Sequence, residues 1–234
     1  MQGTDAEDLS GLTGNEAQET VRGASARADS PLLRSLVAVV ADMGGTVVLG
    51  SEHENLCRRA TPEEIGAGAH DWIVESQGLP NLLHEVVHAL FLGELADDHG
   101  FDYGSIPLDL RDAGHRAILW EELACCALST LYAAPFAEDP RVFARDWFAE
   151  QFEIQGVFHG LEHDLTGFRA RIDAQLTDPE GTAEARATFA RGRGLLEAAL
   201  LAHGAPPAVA RPVQSIDIEG LWADYRLGWK SSNG

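Results

Sequence analysis

His84-Glu85-Val86-Val87-His88 puts two imidazoles four residues apart with a carboxylate beside the first. On a helix, residues four apart lie on one face, so His84 and His88 point the same way. Two imidazoles at that spacing can fill two of the four positions around a zinc ion. Glu85, one step round the cylinder, can hydrogen-bond a water there and take its proton. Leu83, Val86, Val87 and Leu90 form an apolar stripe that predicts a buried helix. Imidazoles beside a carboxylate in so apolar a run need a reason to be there, because unpaired polar groups are costly to bury.

A catalytic zinc has three protein ligands and one open position. The third ligand is sought in a second stretch, residues 113–134, which reads as a helix stopped by Pro135. From Ile118 to Leu131 it is apolar on every side, apart from small hydroxyls and the pair Glu121-Glu122. Adjacent carboxylates in a helix that reads as buried need a cation or hydrogen-bond donors. The step from His88 to Glu121 is 33 positions (121 − 88), room for a loop and a returning helix.

With these residues the chain resembles the zincin metallopeptidases, in particular the glutamate-zinc branch called gluzincins. There, H-E-x-x-H is followed on a later helix by a glutamate in a context such as E-x-x-A. The matching residues are His84, Glu85 and His88, then Glu121-Glu122-Leu123-Ala124. The resemblance covers roughly residues 32–134 and implies a zincin-like domain holding one Zn2+ through His84, His88 and Glu121. Glu122 is then an alternative ligand, or a partner that orients an imidazole. The implied activity is hydrolysis of peptide bonds in a peptide or protein substrate, with Glu85 as general base.

The chain departs from neighbouring branches. It lacks N-E-x-x-S-D, and Phe91 and Glu94 stand where metzincins have glycine and histidine. Glu94, Asp98 and His99 remain further candidate ligands. The developing oxyanion needs a donor besides the metal, and Tyr103, His115, His159 and His163 are candidates for transition-state or substrate contacts. His159-x-x-Glu162-His163 also spells an inverted zinc motif, but Gly156 and Gly160 weaken a helix there. It reads as a polar helix end, or as a wall facing the His84 site. Two rivals stay open. One is a four-helix, ferritin-like di-metal carboxylate protein using Glu85-x-x-His88 with Glu122, Glu162 and His163. The other is a non-catalytic binding domain on a zincin frame with a structural zinc.

The elements that must position these groups follow from periodicity and punctuation. Leu32, Leu33, Leu36, Val37 and Val40 predict a helix ending before Gly44-Gly45. Short strands are expected at residues 46–49 and 71–75, joined by a polar loop broken by proline and glycine. Asn81 is the expected N-cap of the His84 helix, which should stop near Gly93. An acidic loop over residues 94–112 leads to the Glu121 helix. Further helices are expected at 142–158, 165–176 and 182–203. Ile216, Ile218, Leu221, Trp222 and Tyr225 in the tail should pack back on the core. The fold class is α+β, mostly helical, with a small sheet before the His84 helix. Residues 1–30, poor in large apolar side chains, read as a flexible leader, and 31–230 as one domain.

Composition narrows the partners. The 234 residues carry a formal net charge of −20, from 37 acidic and 17 basic side chains. Tight nonspecific nucleic-acid binding needs a basic surface and is not expected. Hydrophobic residues make up 45%, enough for a sizeable core. No uninterrupted apolar stretch reads as membrane-spanning, and the N-terminus lacks a basic start followed by an apolar run. The expectation is a cytoplasmic protein without a membrane partner. Cys57, Cys125 and Cys126 read as small buried hydrophobes rather than a disulfide framework.

Overall fold

A computed structural model of the chain describes residues 30–51, 55–97, 108–161, 163–213 and 216–232. The first helix, α1 (Pro31–Asp42), starts where Ser30 Oγ accepts the amide of Leu33 at 3.1 Å, with proline at the first helical position. It buries Leu32, Leu33, Leu36 and Val40 of the expected stripe, with Val39 buried in place of Val37, which is exposed. At Gly45 the chain turns into a strand so close to α1 that a Cβ there would lie 2.7 Å from Val40 and 2.6 Å from Leu95.

The sheet has three strands, β1 (Gly45–Leu49), β2 (Asn55–Arg59) and β3 (Trp72–Ser76), in the order β1-β3-β2. β1 runs parallel to β3 and β2 antiparallel to it. β2 and the short helix α2 (Pro62–Gly66) occupy the stretch expected to be an irregular loop. Arg58 explains part of this. Its guanidinium bridges Glu64 on α2 and Glu75 on β3, at 2.7 and 2.8 Å, and ties the polar segment to the sheet.

Helix α3 (Leu79–Leu92) carries the two histidines. Its N-cap is Gly78, not Asn81, which lies buried one turn into the helix. Pro80 accounts for the earlier start, since its fixed φ suits the first turn and its missing N–H is not needed there. Gly93 ends the helix in the left-handed conformation at φ 82°, donating to Ala89 O, as its position predicts. Leu82, Leu83, Val86 and Val87 are almost wholly buried. Each contributes on the order of 1.5–3 kcal/mol of transfer free energy, far more than helix propensity does.

Helix α4 (Ala113–Ala133) is the axis of the molecule. Asp112 caps it by accepting the amides of Gly114 and His115. Helices α3, α5 (Pro140–Phe158), α7 (Pro179–Ala202) and α9 (Ile218–Ser232) all pack against it. The segment 113–136 is long and apolar enough to span a membrane by composition, yet 78% of its most apolar window is buried inside the protein. Here that apolarity serves a core. Helix α6 (Leu165–Thr177) and the short α8 (Pro207–Ala210) complete the shell. The tail packs back as expected: Trp222 and Tyr225 of α9 lie 4.9 and 5.0 Å, ring to ring, from Phe152 of α5. The described residues form an α+β structure that is mostly helical, 69% helix with one small sheet before α3.

Candidate metal centre

The apolar stripe of α3 turns His84 and His88 toward α4, with ring centroids 4.8 Å apart and planes tilted by 56°. Their Nε2 atoms face each other at 3.1 Å. From α4, Glu122 brings Oε2 to 3.3 Å from His88 Nε2 and 3.7 Å from His84 Nε2. Four donors about 2.0–2.1 Å from a tetrahedral zinc are separated from one another by about 3.3–3.4 Å. The three edges of the His84–His88–Glu122 triangle bracket that length. Among the described residues these three side chains form a group able to hold a metal ion.

The glutamates differ from the sequence reading. Glu121 was the expected third ligand; Glu122 is the one that joins the triangle. Consecutive residues on a helix point about 100° apart, so only one can meet both imidazoles. Glu121 instead lies outside, its Oε1 at 3.5 Å from His88 Nδ1. Glu122 thus faces both imidazoles, and Glu121 stands on the Nδ1 side of the His88 ring.

Burial is graded across the group. The side chain of His84 is 7% exposed and that of Glu122 13%, against 22% for His88 and 31% for Glu121. The open side is therefore toward His88. There, Glu85 and His88 line a cleft of about 40 Å³ between α3 and the sheet, walled by Val40, Cys57, Val74 and Leu92. That is room for a water molecule in a cleft that Glu85 helps to line. Glu85 is half-buried and is not one of the three clustered donors.

The charges are coupled. Burial alone would push Glu122 up, but the imidazoles of His88 and His84 outweigh it and hold the carboxyl well below its usual range. Burial holds His84 below the ordinary histidine value despite its bond with Glu122. For His88 burial favours the neutral ring, while Cys125 and the two glutamates around it favour the cation, and the net direction is up. Cys125 lies beside His88 but outside the triangle, and burial pushes its thiol up to about 12. Its complete burial is in keeping with the small buried residue expected from the sequence.

One contributor was not anticipated. Gln155 of α5 donates from Nε2 to Glu122 Oε2 at 3.0 Å. Its signal was present, since Gln151, Gln155 and His159 recur every four residues and all prove buried. A polar row at helical spacing is normally a solvated face, and the sequence offers no way to tell which face is turned inward.

Of the other expected participants, none of the described ones belongs to this group. His115 sits at the N-terminus of α4, its Nδ1 accepting the amide of Asp109 at 3.1 Å. His159 is buried, with its ring 6.1 Å from Phe168. His163 and Glu94 are exposed and outside the triad. Tyr103, Asp98, His99 and Glu162 lie outside the described residues. The di-metal arrangement would bring Glu85 and His163 to the same ions as His88 and Glu122, and neither belongs to the observed group. No protein-family model, curated protein or solved structure matches this chain.

Proposed function

We propose that this chain is a zinc-dependent hydrolase of peptide bonds, with His84, His88 and Glu122 as ligands of one zinc ion and Glu85 as general base. The observation that carries the proposal is the three-sided group, 3.1, 3.3 and 3.7 Å on its edges, with a non-ligating carboxylate next to it on the same helix. Three protein donors leave one tetrahedral position open, which favours catalysis over a closed structural site. The donor set of two imidazoles and one carboxylate suits zinc. Zinc at this position would polarise a scissile carbonyl and acidify a water molecule.

The chain's own groups supply the rest. Glu85, beside the cleft that it shares with His88, takes a proton from the attacking water and returns it to the leaving amine. Glu121 steadies the His88 ring through Nδ1. The exposed side of His88 and the nearby strand β2, whose Cys57 lines the same cleft, mark the side from which an extended substrate would approach. The resemblance to gluzincins rests on His84-Glu85-x-x-His88 and a glutamate on a later helix. The ligand stands one residue beyond the E-x-x-A register, at Glu122.

Metal analysis with a peptide-library assay tests the proposal. Wild-type protein should carry about one zinc per chain, and His84→Ala and Glu122→Ala should lose it. Glu121→Ala should keep zinc with weaker affinity, by up to about 10–100-fold. Glu85→Gln should keep the metal and lose hydrolysis by about 10²–10⁴-fold. Wild-type protein without bound zinc, or full turnover in Glu85→Gln, would overturn it.

A further inference from the structure

We propose that Gln155 is a positioning residue of the centre: its side-chain amide fixes Glu122 as a one-oxygen ligand. This rests on the metal reading above and deepens it. Gln155 Nε2 donates to Glu122 Oε2 at 3.0 Å, the same oxygen that faces both imidazoles. A carboxylate oxygen has two lone pairs in the plane of the group. With one taken by Gln155, the other points toward the ion position, and the carboxylate is held from rotating to offer both oxygens. A glutamate that bound through both would occupy the position that a water needs.

The setting of Gln155 supports a dedicated role. The residue is 4% exposed, on a helix that also buries Phe143, Trp147, Phe148 and Phe152. Its Oε1 is buried without a hydrogen-bond partner. An interior site that only needed filling would be better served by leucine or methionine, since an unsatisfied buried acceptor is costly. What the amide provides, and an apolar chain cannot, is the N–H directed at Glu122. Gln151, one turn earlier and 5% exposed, is as buried but makes no bond to the triad, and so serves as an internal control.

The full-length protein is titrated with zinc against a chromophoric chelator, and with cobalt(II) by visible absorption, in wild type, Gln155→Met and Gln151→Met. Gln155→Met keeps the volume and removes the donor. It should lower zinc affinity about 10–100-fold, the usual effect of losing an outer hydrogen bond to a ligand. Its cobalt(II) spectrum should weaken, as four-coordinate geometry gives way to five when the carboxylate binds through both oxygens. Gln151→Met should match wild type in both. Should Gln155→Met fail to fold, Gln155→Asn, which withdraws the N–H by one methylene, should show the same two changes. Zinc affinity and cobalt spectrum equal to wild type in the folded Gln155 variant would overturn the assignment of Gln155 while leaving the ligand triad intact. A wild-type chain that takes up neither metal would instead overturn the triad and this assignment with it.

Discussion

Glu122 is an anion in the interior, and a buried carboxylate needs a positive partner. Between His84 and His88 that partner is a proton or a metal ion, and the two compete for the same nitrogens. Burial disfavours a proton on His88, but Cys125 and the glutamates beside it favour one and the net shift is upward, so protons compete with zinc for the ring. The direction follows: zinc affinity falls as pH drops and rises with pH until His88 is deprotonated in the metal-free protein. Titration calorimetry in two buffers of different ionisation enthalpy should show protons released as zinc binds, more of them at lower pH. Heat independent of the buffer would remove the competing imidazolium. At this scale His84, Glu85 and His88 could be read from their spacing alone. The choice between Glu121 and Glu122 could not, because adjacent helical residues differ only in the face they present, and the facing helix sets which face matters.

The helices that frame the site approach closely where α7 crosses them. A Cβ added at Gly192 would lie 2.7 Å from Phe91 on α3 and 2.9 Å from Leu128 on α4. Gly192→Ala gains about 1 kcal/mol of helix propensity but overpacks a tight crossing at about 1–3 kcal/mol. The net effect should be destabilising. Gly194→Ala, two residues on at an exposed site with nothing within 4 Å, should stabilise by up to about 1 kcal/mol. Paired denaturant titrations check both, and equal midpoints for the two variants would contradict this picture of the crossing. The helices themselves were largely legible, as was the stop at Gly93, whereas the N-cap expected at Asn81 falls at Gly78. Strand β2 was not. Asn55–Arg59 has no clean alternation, and part of what holds it is Arg58 reaching Glu64 and Glu75, partners 6 and 17 residues away.

Across the whole molecule, every residue of α4 from Leu123 to Ala133 is buried, and α9 packs on α4 and α5. Trp222 is 4% exposed, packs on Phe152 and Tyr225, and donates its indole N–H to Asp173 at 2.9 Å. Trp222→Ala should cost about 3–5 kcal/mol. Thermal unfolding should show the loss with the zinc site filled or empty, because the clasp and the triad share no side chain. A variant as stable as wild type would mean that α9 is a passive appendage. What the sequence determined by itself is whatever depends on neighbours along the chain: the helical spans, the stop at Gly93, the pairing of His84 with His88 and the apolar reach of α4. The tertiary structure alone decided which glutamate meets those imidazoles, that Gln155 reaches Glu122 from 33 positions away, and that β2 completes a sheet. Those outcomes depend on how rigid elements rotate against one another as they bury their stripes, and periodicity within a single element does not record that rotation.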